Sequence, residues 1–249
     1  ISNFFYMKKR LFLGCSNGLG KHMAFKHALD PHSHPVIDEK DYCKLSSGVE
    51  WFNLCKGGAG NSYIRWRLFD WLENDKPDYV YLQFSGLVRR DFYFDIDNKD
   101  SLHFKSSSIS TSKKHVYMVG GNYKGIKNPK EFEDILKKLS YNFWDDNTNN
   151  FHSIQEIFCA ISVLEKLNIK HNWTVYYDPI NPPNKQTELE GKIEKWPDFI
   201  NLDNKLPSPL NYAIESGEKI DDGVHFGYDI FKSYIEENKS KIHIESGDK

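Results

Sequence analysis

Apolar positions along this chain fall into short runs, separated by small-residue turns and by segments with helical spacing. The first run, Leu11-Phe12-Leu13, follows basic Lys8-Lys9-Arg10 and ends in Gly14-Cys15-Ser16, which predicts a strand turning sharply into a helix over residues 19–29. Residues 49–54 are apolar enough for a short strand or a helix end. A glycine-rich turn, Lys56-Gly57-Gly58-Ala59-Gly60-Asn61-Ser62, then leads into a helix over 63–72 with Ile64, Leu68 and Leu72 on one face. Lys76-Pro77-Asp78 ends that helix, and the β-rich run 79–84 reads as a buried parallel strand closed by Ser85-Gly86. Further on, 115–119 predicts a short strand and 129–141 a helix. Residues 153–167 carry Ile154, Ile157, Ile161 and Leu164 at helical spacing, 173–177 predict a strand, and 228–237 predict a terminal amphipathic helix. Strands alternating with helices predict a three-layer α/β/α sandwich with a mainly parallel central sheet.

Three segments lack such a pattern. Residues 30–47 read as a long polar loop, 91–112 as an irregular excursion or lid, and 181–209 as a proline-bearing loop with a short helix. Met7 before Lys8-Lys9-Arg10 reads as a natural start, which makes 1–6 an extension, and 238–249 reads as a polar tail. The 249 residues suit one domain spanning 1–249.

Composition narrows the function classes. With 33 Lys+Arg against 35 Asp+Glu the net charge is −2, which speaks against a nucleic-acid partner. Aromatic residues make up 15%, mostly for the core, with a surplus of Tyr and Trp that suits a carbohydrate-facing surface. The four cysteines form no CxxC pair, so neither a zinc cluster nor a disulfide framework is expected, and a reducing compartment is. No run approaches the ~20 apolar residues of a membrane span, and Leu11-Phe12-Leu13 is too short for a signal peptide. These features predict a cytoplasmic protein without a membrane partner. His22, His27, His32 and His34 match no HExxH-like spacing and read as solvated loop residues, so no metal is expected. Asn172-Trp173-Thr174 and Asn238-Lys239-Ser240 match the glycosylation sequon by chance.

In open parallel sheets, ligands bind outside the carboxyl ends of the strands. The turns at Ser16, Gly60 and Ser85 belong at that edge, joined by Asp222-Gly223-Val224-His225 ahead of the last helix. A carboxylate three residues before a histidine can orient the imidazole through Nδ1–H, freeing the other nitrogen to take a proton from a serine. Together these blocks resemble the SGNH hydrolases, the superfamily of GDSL-type esterases and many carbohydrate O-acetylesterases, whose sheet is flavodoxin-like. Gly14-Cys15-Ser16 resembles the family's first block, residues 53–68 its second, 77–82 the strand leading to its third, and Asp222-Gly223-Val224-His225 its last.

The resemblance implies a serine ester hydrolase working through an acyl-enzyme, with a small-molecule or glycan ester as substrate and O-acetylated carbohydrate foremost. Ser16 would be the nucleophile, His225 the base and Asp222 its orienting acid. The Ser16 and Gly60 N–H groups would hold the oxyanion, with Gly58 second to Gly60, and no cofactor is needed. Two departures stand out. Cys15 replaces the usual Asp of the first block, and as a nucleophile it is the weaker option because its side chain alternates away from that of Ser16. The third block lacks its asparagine and reads Gln83-Phe84-Ser85-Gly86-Leu87, so Asn61 or Ser85 is the expected substitute donor. Arg89 and Arg90 are candidates for binding an acidic group on the substrate. The competing functions are a non-catalytic glycan-binding or structural module on the same fold, and a carbohydrate O-acyltransferase.

Overall fold

A computed structural model of the chain describes residues 8–15, 42–44, 49–55, 59–87, 91–95, 109–111, 115–119, 146–177, 179–180, 193–217, 228–238 and 240–242. The apolar run around Leu11 forms strand β1 (Lys8–Gly14). On one side it pairs in parallel with β3 (Val49–Asn53), and on the other with β4 (Tyr79–Phe84). Strand β8 (Lys170–Val175) continues the parallel set beside β4, and β2 (Tyr42–Lys44) closes the far edge antiparallel to β3. The resulting order, β2-β3-β1-β4-β8, contains four parallel strands, and with its helices the architecture is α/β. All six residues of β4 are buried, as expected for a central strand covered on both sides.

The ambiguous segment 49–54 is therefore a strand, and β2 lies within the segment read as loop. The segment 91–112 differs more. It contains β5 (Asp91–Asp95) and β6 (Ile109–Thr111), which pair with β7 (His115–Val119) in a separate antiparallel sheet of order β5-β7-β6. The helices expected over 19–29 and 129–141 lie outside the described residues.

Four helices are described: α1 (Asn61–Leu72), α2 (Asp146–Lys166), α3 (Pro209–Glu215) and α4 (Tyr228–Asn238). Helix α2 begins seven residues earlier than its apolar periodicity suggests, through the polar segment Asp146-Asn147-Thr148-Asn149-Asn150. Helix α3 has Ser208 as its N-cap, its side chain accepting from Asn211 N, and a proline in the first turn. Ile64 and Leu68 of α1, and Ile157, Ile161 and Leu164 of α2, join Leu11, Leu13, Val80, Leu82 and Trp173 in one buried cluster. Trp173 packs edge-on against Phe84 and Trp196.

Polar side chains alternate with the apolar ones along the central strands. The Tyr79 hydroxyl donates to Asn172 Oδ1 at 3.0 Å. Tyr81 packs against the Phe12 ring at 5.2 Å. Tyr234 of α4 donates to the Pro207 carbonyl at 2.8 Å and stands beside Tyr81 and Thr174. Burial raises the pKa of all three phenols and keeps them protonated.

Candidate active site

Because β1, β3, β4 and β8 run parallel, their carboxyl ends share one edge, where Gly14-Cys15, Leu54-Cys55, Ser85 and Tyr176 emerge. The packing there is close. Gly14 lies opposite Gln83, and a Cβ on it would meet Gln83 Cβ at 3.1 Å, the Gln83 carbonyl at 3.2 Å and Cys55 Sγ at 3.3 Å. Cys15 is buried, with Gln83 Nε2 donating to its sulfur at 3.6 Å. The Cys55 thiol donates to the Phe12 carbonyl at 3.9 Å, and burial, with Cys15 nearby, pushes its pKa well up. A thiol held protonated in this way is a packing group rather than a nucleophile.

Helix α1 starts at the same edge. Its N-cap, Gly60, is extended (φ −91°, ψ −179°), and its first turn carries no acidic residue. That end presents the positive pole of the helix dipole, and the Glu156 carboxylate of α2 reaches its first turn at Ser62. Asn61, the first helical residue, is only 1% exposed and reaches across to the end of β4. Its Oδ1 accepts from the Ser85 backbone N–H at 2.9 Å and from Ser85 Oγ at 3.1 Å. The Asn61 Nδ2 is buried and has no hydrogen-bond partner among the described residues. Leaving a buried donor unmet costs about 1–3 kcal/mol, so such a group calls for a physical explanation.

Helix α2 braces this corner. Ser153 Oγ donates to the Leu87 carbonyl just past β4. Glu156 accepts from Ser62 Oγ at 3.3 Å, pairs with Arg65 Nε, and has His152 Nε2 at 3.5 Å. The brace escaped sequence reading, although a single acid between Ile154 and Ile157 on an apolar helical stripe was its available signal.

Of the residues expected to form the site, Gly60, Asn61 and Ser85 converge as described. Both Ser85 donors are spent on Asn61, so the structure makes Ser85 a partner of Asn61, where sequence alone left either as a donor in its own right. Ser16, Gly58, Arg89, Arg90, Asp222 and His225 lie outside the described residues, as do His22, His27, His32 and His34. Among the described residues no group of His, Cys, Asp or Glu side chains could hold a metal ion. No helix among them is long and apolar enough to cross a membrane. Comparison with models of known protein families finds no match, and comparison with curated protein sequences finds none either.

Proposed function

We propose that the chain is a serine ester hydrolase of the SGNH type, built on a three-layer α/β/α sandwich and acting through an acyl-enzyme. The observation that carries this reading is the buried Asn61 Nδ2 beside Gly60, unpartnered among the described residues, at the sheet edge where β1 ends in Gly14-Cys15. A preorganised donor at a helix start is what a tetrahedral oxyanion requires.

In this mechanism Ser16 attacks the ester carbonyl while His225 takes its proton. His225 then returns that proton to the leaving alkoxide, and water repeats the cycle on the acyl-enzyme. Asp222 fixes the imidazole tautomer and stabilises the imidazolium. The Ser16 and Gly60 N–H groups and Asn61 Nδ2 hold the oxyanion. Asn61 thus fills the role that the absent third-block asparagine has in the resembling family. O-acetylated carbohydrate is the proposed substrate class, with Arg89 and Arg90 contacting an acidic group on it.

The test is turnover of p-nitrophenyl acetate together with labelling by a fluorophosphonate probe. Ser16→Ala is expected to abolish labelling and to lower kcat at least about a thousandfold, as removal of a triad nucleophile does. Turnover unchanged by that substitution would overturn the assignment.

A further inference from the structure

A side-chain amide has two orientations of nearly identical shape, and only its hydrogen bonds decide which face carries the donor. At Asn61 two donors of one residue, the N–H and the hydroxyl of Ser85, converge on the same oxygen. Rotating the amide would set its NH₂ against the Ser85 N–H, donor against donor, and would put the oxygen where the NH₂ now stands. Both residues are 1% exposed, so water cannot rescue the rotated form. The two hydrogens of Nδ2 therefore point away from Ser85, and no acceptor among the described residues takes them.

We infer that Ser85 is a positioning residue that fixes the polarity of the Asn61 amide, so that Asn61 presents a donor to the reacting carbonyl oxygen. The inference rests on reading the site as that of an ester hydrolase and adds to it a division of labour: Asn61 touches the oxyanion, and Ser85 acts only through Asn61. The α1 start contributes in the same sense. With no acidic residue in its first turn, the helix dipole favours the same developing charge.

A double-mutant cycle on the full chain, read with p-nitrophenyl acetate, separates these roles. Asn61→Asp keeps an oxygen for both Ser85 bonds but replaces the donor with a second oxygen and adds a negative charge; an acid at this position suits the helix start, so the variant is expected to fold. Its kcat should fall at least about a hundredfold with KM within about threefold, since the loss of one oxyanion donor is joined by repulsion from the new charge. Ser85→Ala, which keeps the backbone N–H, should lower kcat by about three- to tenfold, and Ser85→Thr should recover most of that loss. The decisive outcome is the double variant, which should be no slower than Asn61→Asp alone, because a residue acting through another is silent once that other is gone.

A second measurement does not depend on the Asn61 variant. Affinity for a trifluoromethyl ketone, which forms the tetrahedral adduct, should fall in Ser85→Ala by the same factor as kcat/KM while KM stays put. Losses that simply multiply in the double variant, a kcat of Asn61→Asp within threefold of the parent, or adduct affinity unchanged in Ser85→Ala would each overturn the inference while Ser16-dependent turnover stands. Parent turnover that does not depend on Ser16 would overturn both the inference and the function on which it rests.

Discussion

At Gly14 the constraint is space rather than backbone conformation. Three atoms, two of Gln83 and one of Cys55, stand 3.1–3.3 Å from where a Cβ would be. Gly14→Ala should therefore push β1 and β4 apart at the edge that leads to Ser16, destabilising the fold by about 1–3 kcal/mol in urea unfolding, as overpacking does. Asn172 shows how little a local motif says without its surroundings. Its Oδ1 accepts from Tyr79, and its Nδ2 donates to the Asn204 and Lys241 carbonyls at 3.2 and 3.1 Å, so the folded chain offers nothing to glycosylate at that sequon. Small residues in strand-end turns made Gly60, Asn61 and Ser85 visible in the sequence. Their division of roles was not, because it depends on a contact between residues 24 positions apart.

Between elements, the Glu156 brace sets where the first turn of α1 sits. The Glu156 side chain is 10% exposed and that of Arg65 29%, so removing one partner strands a largely desolvated charge. Arg65→Met is expected to cost about 1–3 kcal/mol by urea unfolding, and adding Glu156→Met should give part of that back, since a largely buried charge stripped of its main ion-pair partner is worse than none. The elements β4, β7 and α4 were legible from sequence almost to the residue, whereas β1 extends back from its apolar run through the basic Lys8-Lys9-Arg10. The strands missed or mistaken, β2, β5 and β6, are short and lie in polar segments, and each is defined by its antiparallel partner rather than by its own composition; helix α3, running on from the end of the segment read as a loop with a short helix, was missed as well. The early start of α2 has the same origin. Asn149 and Asn150 are poor helix formers, yet Asn150 is buried and Ser153 is tied to Leu87, so tertiary contacts override propensity.

For the molecule as a whole, the buried phenols set an alkaline limit. In the unfolded chain tyrosines ionise near pH 10, whereas Tyr79, Tyr81 and Tyr234 in the fold ionise well above it. Above about pH 10 the folded state thus holds more protons than the unfolded one, and stability must fall as pH rises. Urea midpoints should be flat to about pH 9 and decline beyond it, with tyrosinate absorbance from these residues appearing only together with unfolding. The order β2-β3-β1-β4-β8 also has a consequence during synthesis. Tyr79 of β4 and its partner Asn172 on β8 are 93 residues apart in the chain. At about 5–20 residues per second, a ribosome needs roughly 5–20 s to deliver β8 after β4 has emerged. For that interval the most apolar strand of the sheet has an unpaired edge, which is the stage at which the nascent chain most needs a chaperone.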